Sequence, residues 1–176
     1  MKSLVATAPG KLVLCGEYAV LDGAPAISAA VDRRARVVVQ DGGDTGTEAD
    51  VVVTTVGFKD GRFYFRSTDT GLEPAREQDE LPFVEAVYAG AQLPAGTRLS
   101  IELDTSPFFA GDVKLGLGSS AALTVALAGA LARHQFLLAF AHVVLHVVQG
   151  VQRGGGGRGH PGAVGAGLEV RHLAVV

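Results

Sequence analysis

A glycine-serine loop that runs straight into a long apolar segment limits the folds open to this chain more than any other feature. The stretch Lys114-Leu115-Gly116-Leu117-Gly118-Ser119-Ser120-Ala121-Ala122-Leu123 holds two glycines, two adjacent hydroxyls and the start of an alanine-rich run. Glycines let the backbone approach an anion closely, hydroxyls can ligate a phosphate or its metal, and a helix beginning at this point aims unpartnered N–H groups back at the loop. The pattern therefore reads as a phosphate cradle. It is not a Walker loop, which needs Gly-Lys-Ser/Thr after four intervening residues, nor a dinucleotide fingerprint, which needs a third glycine farther along. A Gly-Ser-Ser turn that merely caps a buried helix has the same local composition, so the loop alone leaves both readings open.

A chain of 176 residues with 48% hydrophobic and 19% charged content can bury one substantial core, which predicts one domain or two small ones. The formal net charge of -3 supplies no global attraction for nucleic acid or an anionic membrane, so any anion site must be local. Cys15 is the single cysteine, which excludes an intrachain disulfide framework and a thiolate zinc cage. It is expected to be a small buried residue in a reducing, cytoplasmic setting. The start of the chain reaches Pro9-Gly10 before a signal-peptide core could form, and export is not expected. Acidic residues are distributed unevenly: of 18, all but Glu169 lie at or before Asp112.

Along the chain, residues 4–6 and 12–14 predict two strands, or one strand interrupted by a bend at Pro9-Gly10 that carries Lys11. Residues 24–31 and 35–40 read as further strands, and 51–56 with 63–65 as a hairpin turning around Asp60-Gly61. Phe83, Val84, Val87 and Tyr88 recur at helical spacing behind Pro82, predicting a helix over 82–91. Residues 99–104 alternate apolar and polar as a half-exposed strand does. The segment 121–133 is apolar on every face, which predicts a helix buried inside the domain, and a second apolar run covers 136–148. His134-Gln135 divides these runs and His142 and His146 interrupt the second, so a membrane-spanning hairpin is disfavoured. The spacing of His142 and His146 suits a zinc pair, but no acidic residue lies nearby to complete one. The glycine-rich stretch 153–162 reads as flexible. Strands and helices mixed without regular alternation make α+β the expected class.

The residues Ala8-Pro9-Gly10-Lys11-Leu12-Val13-Leu14-Cys15-Gly16-Glu17-Tyr18-Ala19-Val20-Leu21 resemble the first motif of the GHMP small-molecule kinases, named for galactokinase, homoserine kinase, mevalonate kinase and phosphomevalonate kinase. Residues 116–122 resemble the second. Two motifs in the family's order are far more specific than either alone. The resemblance covers residues 4–133 and implies the family's N-terminal α+β domain, a mixed sheet with packed helices over residues 1–141. It implies ATP and Mg²⁺ as cofactors and a small-molecule acceptor. Tyr18 after Glu17, and Lys114-Leu115 before the glycines, resemble the phosphomevalonate kinase branch, which implies phosphomevalonate as acceptor with mevalonate as the alternative.

Phosphoryl transfer needs cations to stabilise spreading negative charge, and close positioning of the reactants. The resemblance implies that Lys11 is the catalytic cation. Lys114, Gly116, Leu117, Gly118, Ser119, Ser120 and Ala121 would bind the nucleotide, with Ser120 also on the metal, while Glu17 and Tyr18 would line the acceptor pocket. Arg33, Arg34 and Arg36 form a small basic cluster that an anionic substrate would favour, although alternating strand positions commonly put such residues in solvent. The family's catalytic aspartate and its C-terminal domain have no counterpart here, since no aspartate follows Asp112. Residues 142–176 read as an atypical glycine-rich tail, as a shifted reading frame or a truncation would produce. A catalytically inactive ATP-binding fragment is the alternative function, and an exposed domain face could support a homodimer.

Overall fold

The computed structural model describes residues 3–42 and 49–154, with residues 137–154 as helix backbone. Two compact units divide the chain, Met1–Ala139 and Phe140–Val176. The first unit is built on a six-stranded mixed sheet, which bears out the α+β expectation. Its strands are β1 (Ser3–Cys15), β2 (Ile27–Asp41), β3 (Val51–Val56), β4 (Gly61–Thr68), β5 (Gly71–Pro74) and β6 (Leu99–Asp104), in the order β1-β2-β6-β3-β4-β5. β3 and β6 run parallel, and every other neighbouring pair is antiparallel. Helix α1 (Pro82–Ala91) crosses between β5 and β6, the short strands β7 (Phe109–Ala110) and β8 (Val113–Lys114) form a small hairpin, and α2 spans Ser119–Gly154.

The alternation in β6 produces the layer beneath: Leu99, Ile101 and Leu103 are fully buried while Ser100, Glu102 and Asp104 are not. They share one core with Val37 and Val39 of β2, Val51 and Val53 of β3, and Phe63 and Phe65 of β4. Val84 and Tyr88 of α1, and Leu123, Leu127 and Leu131 of α2, close it. Each such fully buried aliphatic side chain is worth about 1.5–3 kcal/mol against exposure. Pro82 supplies the first helical position of α1, where its missing N–H costs nothing, and Glu85 turns back to accept the Leu81 N–H at 2.8 Å.

Residues 4–15 make one strand interrupted by a register shift between Pro9 and Gly10, the second of the two expected forms. Proline is tolerated there because β1 is an edge strand and leaves no ladder bond unmade. Three expectations need correction. First, 27–41 is one strand: Arg34 pairs with Pro9 and Val31 with Gly10, so Asp32 and Arg33 bulge from the ladder without ending the strand. Second, Cys15 is exposed. β2 pairs with β6 only from Arg36 onward, so the β1–β2 ribbon from Gly10 to Cys15 extends past the sheet, and Leu12, Leu14 and Ile27 on it are 43–61% exposed. Third, α2 is buried along one stripe rather than on every face. Ala122, Ala126 and Ala130 flank the leucines against the sheet while Val125 is 64% exposed, as for a helix that lies on one side of a single layer.

The two apolar runs also form a single helix. His134, placed between them, is buried, and its Nε2 lies 2.6 Å from Asp41 Oδ1 at the end of β2, so the polar ring is accommodated without a break. No described helix is long and apolar enough to cross a membrane. Residues 43–48, the glycine-rich residues 155–176 and the side chains of His142 and His146 lie outside the described residues.

Candidate functional site

The glycine-serine loop and the Lys11 segment meet. The Lys11 N–H donates to the Leu117 carbonyl at 2.9 Å, and the Leu115 N–H donates to the Phe108 carbonyl at 3.0 Å, so the loop is stitched to β1 on one side and to the Ser106–Phe108 turn on the other. Glycine permits both approaches. A Cβ on Gly10 would sit 2.6 Å from Phe108 Cε1 and 2.7 Å from the Leu117 oxygen. Gly118 has φ +70°, and a Cβ there would lie 3.2 Å from Cγ of Lys11. The stem of Lys11 therefore runs along the loop at the glycine that opens α2.

The first intrahelical bond of α2 is Ala122 N–H to Gly118 carbonyl, 3.1 Å. The N–H groups of Ser119, Ser120 and Ala121 precede it, have no acceptor within the helix, and point at the loop. Two cations flank this end: among the described residues, the Lys11 and Lys114 ammonium groups have no ion pair or side-chain hydrogen bond, and both residues are exposed. Unpaired cations beside free amides at a helix start form an electropositive cradle for a multiply charged anion.

Beside the cradle is a cavity of about 300 Å³. Lys114, Ser119 and Ser120 form its polar end, and Phe58, Phe83 and Phe109 its apolar walls. Phe58 and Phe83 meet edge to face, with centroids 5.8 Å apart. A polar end with a cation and hydroxyls, adjoining aromatic walls, suits a nucleotide. Among the described residues, no group of three or more histidine, cysteine or acidic side chains is placed to hold a metal ion. Ser120 is the hydroxyl exposed at the cavity.

The remaining site residues lie farther along. Glu17 and Tyr18 follow β1, beyond the Gly16 turn (φ +83°), and are exposed, Tyr18 to 79%. Among the described residues their side chains make no hydrogen bond or ion pair. Leu117 is half-buried and packs against the core. The arginine cluster is committed internally: Arg36 pairs with Glu102 at 2.9 Å, Arg34 donates to the Thr7 hydroxyl, and Arg33 donates to the Pro107 carbonyl. Sequence reasoning missed the cavity walls Phe58, Lys59, Phe83 and Phe109. The Phe58-Lys59-Asp60-Gly61 turn was legible as a hairpin, but nothing in its composition marks it as lining a site.

No family model matches the chain. Individual proteins do. The phosphomevalonate kinase of Streptomyces sp. strain CL190 is 41% identical over 147 residues, covering 74% of this chain and 38% of that protein. The mevalonate kinase of Pyrococcus horikoshii is 33% identical over 166 residues, covering 88% and 48%. Among solved structures, the Lin0012 protein of Listeria innocua superposes with a TM-score of 0.59 at 26% identity, over 82% of this chain and 43% of that one. The Streptococcus pneumoniae phosphomevalonate kinase, in complex with phosphomevalonate and AMPPNP, superposes with a TM-score of 0.51 at 18% identity, over 73% and 36%, and so shares the fold. This chain thus spans between about two fifths and half of the length of the curated relatives it matches. With both sequence motifs converging on one cradle, in a sheet and helix arrangement shared with these kinases, the chain belongs to the GHMP kinase family.

Proposed function

We propose that this chain binds ATP, with the triphosphate on residues 116–121 and the base in the aromatic cavity, and serves phosphoryl transfer to phosphomevalonate. The observation that carries the reading is the bond from the Lys11 N–H to the Leu117 carbonyl, because it holds a free ammonium beside the free amides of the α2 start. Lys11 offsets the negative charge that spreads over the transferring group, and the amides of Ser119, Ser120 and Ala121 orient it. Lys114 neutralises a second phosphate. The Ser120 hydroxyl would be this chain's ligand for Mg²⁺, which when bound would supply charge neutralisation to the phosphates. Glu17 and Tyr18, on the exposed ribbon end beyond Lys11, serve the acceptor. Similarity to the Streptomyces phosphomevalonate kinase supports phosphomevalonate over mevalonate as that acceptor.

A second reading, an ATP-binding chain without turnover, is favoured by one observation: no aspartate follows Asp112 to orient or deprotonate the attacking group. A coupled ADP-release assay with phosphomevalonate and with mevalonate separates the two. Transfer predicts phosphomevalonate-dependent turnover that Lys11→Ala lowers by about a hundredfold or more. ATP binding without turnover on either acceptor would leave the second reading standing.

A further inference from the structure

The turn between β3 and β4 borders two cavities. One is the 300 Å³ cavity. The other is a broader one of about 620 Å³ that Ser106, Gly111 and Asp112 help to line. Phe58 and Lys59 border both. Phe58 packs against the core while Lys59 is exposed, so the placement of the turn's tip depends on individual ties.

Two ties anchor the turn to its own end of the sheet. The buried Thr55 hydroxyl donates to the Lys59 carbonyl at 2.7 Å, and Gly57, at φ +85°, lies so close to Ser106 that a Cβ would be 2.6 Å from its nitrogen. Two others reach to the first turn of α1 and to the residues that lead into it. One is the contact between Phe58 and Phe83. The other is Lys59, whose ammonium donates to the Glu80 carbonyl at 2.9 Å while lying 5.0 Å from the centroid of the Phe63 ring. Lys59 adopts φ +39°, a left-handed conformation that costs a non-glycine residue free energy and persists where surrounding contacts hold it. The segment it grips also carries Asp79, 2% exposed with Oδ2 unpartnered, next in sequence to the carbonyl that receives the ammonium.

We infer that Lys59 is a positioning residue that clasps the β3–β4 turn onto the α1 lead-in and so fixes the Phe58–Phe83 wall of the cavity against which the heteroaromatic base of the nucleotide lies. The inference rests on the nucleotide reading above. It assigns Lys59 to the base and not to the phosphates, because the glycine loop is held by Lys11 and Phe108 through bonds that do not involve the clasp.

The test uses the whole 176-residue chain and calorimetric titration with ATP and, separately, inorganic tripolyphosphate, both with Mg²⁺. Lys59→Met keeps an unbranched side chain of similar reach and removes the charged donor. It is expected to weaken ATP binding about tenfold and to leave tripolyphosphate within about twofold, while Lys59→Arg recovers most of the loss. Lys59→Gln serves as a second uncharged variant, and thermal melting verifies that each is folded; the exposed position makes this the expected result. Equal losses for ATP and tripolyphosphate, or no loss for either, would overturn the clasp while the nucleotide site stands. Failure of the unaltered chain to bind ATP would overturn the nucleotide reading and the clasp with it.

Discussion

At the scale of single residues, the candidate site depends on two glycines that permit close approach. Gly10 leaves room for Phe108 and the Leu117 carbonyl, and Gly118 for the stem of Lys11. Gly10→Ala therefore tests the packing apart from the chemistry. Phe108 is fully buried and the other obstructing atom is a backbone oxygen, so neither neighbour can move aside cheaply. The expected result in urea denaturation is a loss of about 1–3 kcal/mol, from overpacking, and an unchanged stability would contradict the close approach. That Lys11 and the glycine loop belong together was legible in the sequence, because the candidates are marked by residue type at fixed spacing, and the two segments do meet. Phe58, Phe83 and Lys59 were not. They come from two separate segments and share a cavity only after the sheet and α1 have formed.

At the scale of elements, legibility followed the strength of the local signal. Helix α1 and strand β6 coincide with their expected spans, since proline at the first helical position and a clean period-two alternation are both locally decisive. β5 and the β7–β8 hairpin went unread because four- and two-residue strands carry too little pattern. The apparent breaks in β1 and β2 shift the ladder without ending either strand, because an edge position excuses the proline and a bulge accommodates Asp32 and Arg33. α1 is tied to β4 by the hydroxyls of Tyr88 and Ser67, 3.0 Å apart and buried. Burial raises the Tyr88 phenol above its ordinary value of 10.0. The unfolded chain ionises this group first, so its contribution is complete below about pH 10 and is lost as pH rises from there toward the folded value. Tyr88→Phe should cost about 1 kcal/mol at neutral pH and flatten the alkaline fall in stability, measured by denaturation from pH 8 to 11. An alkaline fall as steep as that of the unaltered chain would remove Tyr88 as its cause.

At the scale of the molecule, the sheet-bearing unit brings both sequence motifs together within a chain that spans 38–48% of its relatives' length. The proposal to test first is that it holds ATP there. Backbone amide NMR of the labelled chain, titrated with ATP and Mg²⁺, tests it at the atoms concerned. The largest shifts are expected at Gly116, Gly118, Ser119, Ser120 and Ala121, with Lys11 moving in step through its bond to Leu117, and a second group at Phe58 and Phe83. Tripolyphosphate should reproduce the first group without the second. An ATP titration that leaves the loop amides in place, or moves them without Lys11, would contradict the account.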